Sequence, residues 1–128
     1  MGSPFIVLLA SDFSLVRSVI HEMLVFHGYT VLNGAGMASL SVGRSYTGLI
    51  HLLVTDADKG GQGGGLDLAE ALGYLRPNMR TLFLKREADR LWLVRESETP
   101  DEIKIPFTPG HFLEWTSDIL AQAFSSNS

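Results

Sequence analysis

The chain has no cysteine among its 128 residues, which excludes disulfides and thiolate metal sites. It also has no apolar run long enough to cross a bilayer. The apolar run at residues 5–10 lacks a basic start and is cut by Ser11 and Asp12, so it does not have the pattern of a secretory signal peptide. We therefore expect a cytoplasmic protein with no membrane segment.

Positive charge is scarce as well. Ten lysines and arginines stand against fourteen acids, the net charge is -4, and no basic stripe is present. This is not the charge pattern of a nucleic-acid-binding protein, so we expect no direct contact with nucleic acid. The length and the hydrophobic content of 45% suit one globular domain over residues 1–128, with frayed ends at 1–4 and 125–128.

Motifs of common enzyme classes are missing too. The chain has no Gly-x-Ser-x-Gly elbow, and its four histidines lack the paired spacing of metal ligands. The glycine-rich run at residues 60–65 lacks the Lys-Ser/Thr that ends a nucleotide-binding P-loop, so a flexible loop is the favoured interpretation. We expect no independent catalytic turnover.

What the sequence does contain is a regular alternation of apolar runs with amphipathic segments. The pattern predicts strands at residues 5–10, 29–32, 49–55, 80–84 and 102–105, each followed by a helix, at about 14–28, 37–46, 66–75, 89–96 and 108–124. Five β-α repeats predict an α/β protein: a flavodoxin-like (βα)5 doubly wound sheet of five parallel strands in the order 2-1-3-4-5.

Local signals refine the ends of the helices. Ser14 is expected to cap the first helix, and Gly28 to end it. Thr108 followed by Pro109 predicts the start of the last helix. The residues expected on the buried face of the first helix are Val16, Val19, Ile20, Met23, Leu24 and Phe26.

Asp56 ends the third predicted strand. Ligands of open α/β sheets bind at the carboxyl ends of the strands, so an acid there is placed for chemistry; the alternative is that Asp56 only starts the turn. The strand order brings Asp12, which follows strand one, close to Asp56. Two carboxylates in one crevice repel each other unless a cation or a proton intervenes, and oxygen ligands of this kind suit Mg²⁺.

Several segments, in this order and spacing, resemble the receiver domain of response regulators in two-component signalling, in an atypical form. No single segment is diagnostic, and the resemblance covers nearly the whole chain. The segments are Ile6-Val7-Leu8-Leu9-Ala10-Ser11-Asp12-Phe13-Ser14, His27-Gly28-Tyr29-Thr30-Val31-Leu32, Leu52-Leu53-Val54-Thr55-Asp56, Leu75-Arg76-Pro77-Asn78-Met79-Arg80 and Ile105-Pro106-Phe107-Thr108-Pro109.

The resemblance implies roles for three acids. Asp56 matches the residue that accepts a phosphoryl group from a histidine kinase with Mg²⁺ bound. Asp12 matches a direct metal ligand, and Asp58 stands where the family supplies a backbone carbonyl to the metal. The family also implies a cis peptide bond between Ile105 and Pro106.

Several positions depart from the family pattern, among them Lys59-Gly60, which replaces the usual Met-Pro after Asp56. Ser11 replaces the first of two adjacent acids, Lys85 stands at the usual Thr/Ser position, and Ile105 stands at the usual lysine position. Glu102 stands at the aromatic position of the fifth strand. Phosphoryl transfer depends on positive charge aimed at the transferred oxygens, so the loss of the lysine weakens it, and the loss of an acid weakens Mg²⁺ binding.

Two side chains remain open to different interpretations. Lys85 either pairs with Asp56, holding it ionised and lowering its pKa, or extends to solvent. Trp92, on the short helix predicted at residues 89–96, is either partly core or an exposed anchor for a partner, because receivers are commonly bound on the face formed by helix four, strand five and helix five. Glu102 belongs to the same expected partner face.

Three functions follow, and the sequence ranks them. The first is a receiver that acts mainly through protein contacts, with weak or absent phosphorylation of Asp56. The second is a working phospho-acceptor that uses Mg²⁺, and the third is a flavodoxin-like enzyme or nucleotide binder, for which no motif is found. The expected partners are a histidine kinase, a parent hybrid kinase or another signalling protein, with homodimerisation as a further option.

Overall fold

The computed structural model describes residues 5–34, 37–57, 65–96 and 102–124. Six strands and four helices are found in these ranges. They are β1 (Ile6–Ala10), α1 (Ser14–Phe26), β2 (Thr30–Gly34), α2 (Met37–Ser45), β3 (Leu52–Asp56), α3 (Gly65–Leu75), β4 (Arg80–Glu87), β5 (Arg90–Glu96), β6 (Glu102–Pro106) and α4 (Pro109–Phe124).

The strands form one sheet in the order β2-β1-β3-β4-β5-β6. The strands from β2 to β4 are parallel, as predicted, and the α/β class and the order of these four strands are confirmed. The helix predicted at residues 89–96 is wrong, because this segment is the strand β5, antiparallel to both β4 and β6. The fifth predicted strand, at residues 102–105, was expected to pair with β4. It is β6 in the structure, and β5 lies between it and β4.

A two-residue turn joins β4 to β5. Ala88 and Asp89 have φ values of 50° and 63°, in the left-handed region. Two such residues in succession are typical of a type I′ turn, whose twist matches that of an antiparallel hairpin. In β5 the apolar side chains of Leu91 and Leu93 alternate with Trp92 and Val94, so both faces of the strand carry apolar residues.

Two buried clusters lie on opposite faces of the sheet. Under α1 and α4 they are Val7, Leu9, Ile20, Leu24, Leu52, Val54, Leu82, Leu84, Leu93, Phe112, Trp115 and Leu120. Under α2 and α3 they are Leu8, Ala10, Ile50, Leu53, Leu68, Leu72 and Met79. Side chains alternate along a strand, so Asp56 follows Leu52 and Val54 onto the face covered by α1 and α4.

The predicted buried face of α1 is only partly right. Ile20 and Leu24 are fully buried, but Val19 is 43% exposed and Phe26 is 85% exposed. The helix also lacks the predicted cap, because Ser14 is its first residue and Phe13 occupies the capping position without a side-chain hydrogen bond. Gly28 follows the helix with a φ of 90°, as its predicted role at the end of the helix requires.

The start of α4 agrees with the prediction, whereas the bond before Pro106 does not. The backbone N–H of His111 donates to Oγ1 of Thr108 at 3.0 Å, and the helix begins at Pro109. No peptide bond within the described ranges is cis, so the predicted cis bond between Ile105 and Pro106 is wrong. Pro106 continues β6 in register with Trp92, in extended conformation. Among the described helices, none combines the length and the apolar character needed to span a bilayer.

Candidate functional site

Asp56 is the last residue of β3 and is only 6% exposed. Its strand lies between β1 and β4, so the loop that follows β1 reaches the same edge of the sheet. Ser11, the first residue of that loop, is fully buried. The carboxyl edge of the sheet therefore holds a buried carboxylate beside a buried hydroxyl.

Hydrogen bonds from the loop after β1 hold the Asp56 carboxylate. Ser11 Oγ donates to Oδ1 at 2.9 Å, and the backbone N–H of Asp12 donates to Oδ2 at 2.8 Å. The backbone N–H of Phe13 in turn donates to Ser11 Oγ at 3.2 Å. Hydrogen bonds to an ionised acceptor are about twice as strong as those between neutral groups, so these contacts fix the loop around Asp56.

The predicted proximity of Asp12 and Asp56 is confirmed, but the contact differs from the expected one. The backbone N–H of Asp12 donates to the Asp56 carboxylate. Asp12 is nevertheless exposed to solvent. Their neighbour Ser11 supplies a proton donor where the family would supply a second carboxylate.

The described residues do not form a fitting Mg²⁺ site. No group of three or more His, Cys, Asp or Glu residues in the described ranges is arranged to hold a metal ion. Each oxygen of Asp56 already accepts a hydrogen bond from the chain itself. Asp58, the third predicted ligand, and residues 60–64 of the glycine-rich loop lie outside the described residues, while Gly65 begins α3.

Lys85 lies away from Asp56. Asp56 is in register with Leu84, so the next residue of β4 projects from the opposite face of the sheet. There the Lys85 ammonium lies 3.7 Å from the carboxylate of Glu87, which also accepts a hydrogen bond from Lys104 at 2.7 Å. The bond to Lys104, and then its charge, lower the pKa of Glu87, with a smaller contribution from Lys85. The interpretation in which Lys85 pairs with Asp56 is wrong, because the two side chains project from opposite faces.

The position that the family gives to lysine is also far from Asp56. Ile105 is in register with Leu93, Leu93 with Leu84, and Leu84 with Asp56. Three strand spacings separate Ile105 from Asp56, about 14 Å. Ile105 is half-buried and packs against the cluster under α1 and α4. β5, inserted between β4 and β6, therefore removes this position from the site whatever residue occupies it.

The two residues of the expected partner face lie on neighbouring strands. Trp92 is half-buried on β5, and the Lys104 ammonium lies 4.8 Å from the centre of its ring. Its indole N–H is buried with no hydrogen-bond partner among the described residues. Glu102 is the first residue of β6, in register with Glu96.

Two arginines that were not predicted as site residues contact the loop after β1. Arg17 donates from Nη1 to the backbone oxygen of Ser11 at 2.7 Å. The guanidinium carbon of Arg86 lies 4.7 Å from the centre of the Phe13 ring. Arg86 follows Leu84 by two residues, so its side chain lies on the same face of the sheet as that of Asp56. The alternation of side chains would have shown this if the predicted strand had included residue 86.

A cavity of about 330 Å³ lies at the other edge of the sheet, where α2 and α3 end. Its lining residues are Gly43, Arg44, Tyr46, Thr47, Gly48, Leu75 and Arg76. The Arg76 guanidinium donates to the backbone oxygens of three of them, Gly43, Tyr46 and Gly48, at 2.6–2.8 Å. Arg76 therefore closes the end of α2, a structural role.

No protein-family model and no curated protein matches the chain. A CheY-like receiver domain protein from Methanospirillum hungatei matches with a TM-score of 0.71 and 19% identity, over 94% of this chain and 97% of that chain. The fold is that of a response-regulator receiver domain. A receiver protein from Sinorhizobium medicae matches as well, with a TM-score of 0.71 and 20% identity over 94% of this chain and 98% of that one.

A third structure with the receiver fold comes from a larger protein. It is the anti-anti-sigma factor PhyR of Bartonella quintana, solved in complex with the anti-sigma factor NepR. The TM-score is 0.56 and the identity 20%, over 96% of this chain but only 49% of that chain. At these identities the likeness concerns the fold.

Proposed function

We propose that the chain is an atypical receiver module for signal transduction that acts through protein contacts, with weak or absent phosphorylation of Asp56. The observation that carries the proposal is the hydrogen bond from Ser11 to Asp56. The chain's own donors hold the carboxylate, Ser11 stands in place of the second acid, and neither Lys85 nor Ile105 lies beside Asp56.

The chemistry of phosphoryl transfer supports this proposal. The attacking carboxylate oxygen must approach phosphorus in line, while positive charge is aimed at the transferred oxygens. Here Oδ1 and Oδ2 both accept hydrogen bonds from the β1–α1 loop. Lys85 projects from the other face of the sheet, and Ile105 lies three strands away. A Mg²⁺ ion held by Asp12, Asp56 and the Asp58 backbone would bind weakly.

The proposed partners are proteins: a histidine kinase or a parent hybrid kinase, another signalling protein, or a second copy of the chain. The PhyR structure, in which a receiver fold belongs to a protein that binds an anti-sigma factor, supports protein partners in general. Trp92 and Glu102 stay in the proposal as parts of the partner surface, now on the adjacent strands β5 and β6. We propose one signalling domain over residues 1–128, without catalytic turnover.

The test is intact-mass spectrometry after incubation with a small phosphodonor and Mg²⁺, with Asp56→Asn as the matched control. We expect no phosphate-sized gain over hours in either protein. A gain in the wild-type chain alone would contradict the proposal and identify Asp56 as a working phospho-acceptor. A gain in both would place any phosphorylation at another residue and leave the account of Asp56 intact.

A further inference from the structure

We infer that the contact between Arg86 and Phe13 couples Asp56 to the β4–β5 hairpin (residues 80–96), so that hydrogen bonding at Asp56 controls how readily the hairpin opens. The inference rests on the proposed function, because it names the surface that a receiver acting through protein contacts would change. It needs no phosphorylation, so the two can fail separately.

The first step runs from Asp56 to the loop after β1. Asp56 accepts hydrogen bonds from the Ser11 hydroxyl and the Asp12 backbone, and the Phe13 backbone donates to the same hydroxyl. Three consecutive loop residues are thus positioned by one buried carboxylate. Phe13 is only half-buried and its ring lies at the mouth of the site, where a shift of the loop would move it.

The second step runs from the loop to the hairpin. The Arg86 guanidinium stacks on the Phe13 ring at 4.7 Å, within the range of a cation–π interaction. Arg86 lies two residues before the turn of the hairpin and is in register with Leu91 of β5. This contact therefore ties residue 13 to the part of the hairpin nearest its tip.

The third step concerns the hairpin itself. β3 ends at Asp56, which is in register with Leu84, so residues 85–87 of β4 extend beyond β3. Within the described part of the chain, these residues pair with β5 alone. The turn that follows places two non-glycine residues in the left-handed region, which L-residues avoid. Because residues 85–87 have a strand on one side and a strained turn after them, their stability depends on side-chain contacts. The contact of Arg86 with Phe13 is one of these, and it lies on the same face of the sheet as Asp56.

A rival route exists through the sheet. The backbone N–H of Ala57, next to Asp56, donates to the oxygen of Leu84 at 2.7 Å. A change at Asp56 could reach β4 by this ladder without Arg86. The two routes differ in one respect, because only the first requires the guanidinium and the aromatic ring.

A double-mutant cycle read by hydrogen exchange and mass spectrometry separates the routes. Asp56→Asn replaces one carboxylate oxygen by an NH₂ group, which donates and cannot accept, with almost no change of shape. The variant therefore keeps an acceptor for only one of the two donors, the Ser11 hydroxyl and the Asp12 N–H. In the wild-type background we expect it to accelerate exchange of β5 amides by about threefold or more, relative to peptides of α2 and α3. In the Arg86→Ala background the same substitution should have no further effect on β5.

Two further variants sharpen the test. Phe13→Leu keeps an apolar side chain without a π face, and should remove the effect of Asp56→Asn as Arg86→Ala does. Arg90→Ala removes an arginine of the same hairpin that projects from the other face, and should leave the effect intact. The inference is overturned if Asp56→Asn still accelerates β5 exchange in both the Arg86→Ala and Phe13→Leu backgrounds, or if it has no effect on β5 in the wild-type chain.

Discussion

Ser11 donates its hydroxyl proton to Oδ1 of Asp56 across 2.9 Å, and both residues are buried. A carboxylate at position 11 would accept rather than donate, and it would bring a second negative charge to the same oxygen. The identity of residue 11 therefore decides whether this crevice is held together by the chain itself or requires a cation.

Replacing Ser11 with Asp should convert the crevice into one that requires a cation. With a chelator present, we expect the free energy of unfolding to fall by about 2 kcal/mol or more, because two buried carboxylates repel each other. Millimolar Mg²⁺ should restore much of this loss, since binding to the folded state alone stabilises it. Thermal unfolding with and without Mg²⁺ measures both effects.

Ser11→Ala is the matched control for that experiment. It removes the donor without adding charge, so it should cost about 1–2 kcal/mol and show no response to Mg²⁺. An equal response to Mg²⁺ in the alanine and aspartate variants would contradict the assignment of residue 11 as the decisive position.

Two buried threonines should respond in opposite ways to replacement by valine. Thr55 donates to the backbone oxygen of Ala10 at 2.9 Å, whereas the hydroxyl of Thr116 has no partner among the described residues. We expect Thr55→Val to lower the free energy of unfolding by about 1 kcal/mol, and Thr116→Val to raise it by up to about 1 kcal/mol. Urea denaturation of both variants tests this; a loss of stability in Thr116→Val would mean that its hydroxyl is satisfied.

Glycine at position 88 should stabilise the protein. Ala88 has a φ of 50°, which costs an L-residue free energy that glycine does not pay, so we expect a gain of about 0.5–1 kcal/mol in Ala88→Gly. The same change at Ala38, an exposed position in the first turn of α2, should cost about 0.5 kcal/mol. Equal losses in the two variants would argue against the turn.

Protonation of His51 should lower the free energy of unfolding as the pH drops. Its ring lies edge-on to Phe5 and Phe124 at 5.1 and 4.9 Å, and burial lowers its pKa from the usual 6.5. The unfolded chain then takes up the proton at a higher pH than the folded chain, so the stability that the neutral ring contributes is present above pH 6.5 and is lost as the pH falls toward the lowered value.

The measurement is urea denaturation at about pH 7.5 and about pH 5.5, in the wild-type chain and in His51→Asn. The asparagine keeps an oxygen that can accept the Ile6 N–H, which donates to Nδ1 of the histidine at 3.0 Å, but it does not titrate. We expect the variant to lose part of the pH dependence. An unchanged pH dependence would assign it to other groups.

Sequence patterns predicted the parallel part of the sheet because each of its strands contains a short apolar run, which is buried in β1 and β3 and half-buried in β2. The strand order then placed Asp12 beside Asp56 without any knowledge of side-chain contacts. The donor role of Ser11 could not be predicted, because it depends on the backbone path of a three-residue loop. Helical spacing placed Phe26 on the buried face, but Phe26 is the last residue of α1 and is 85% exposed.

β5 escaped prediction for two physical reasons. Apolar residues fill both of its faces, so the run from Leu91 to Val94 has neither a clear helical nor a clear strand period. The turn before it consists of Ala88 and Asp89 and lacks the glycine or asparagine that is typical of a two-residue hairpin turn. Alanine also favours helices, so the local sequence indicated a helix. The pairing with β4 and β6 overrides these local preferences.

The meander of β4, β5 and β6 also has a consequence for how the chain folds. Each of its pairings joins neighbouring stretches of sequence, whereas every parallel pairing must wait for a crossover helix to return the chain to the sheet. Contacts that close short loops form faster, so we expect the meander to be structured in the folding transition state. Substitution of Leu93 by Ala should then mainly slow folding, and substitution of Leu8 by Ala should mainly speed unfolding, in stopped-flow measurements. The antiparallel insertion that separates Ile105 from Asp56 would in this way also nucleate the sheet.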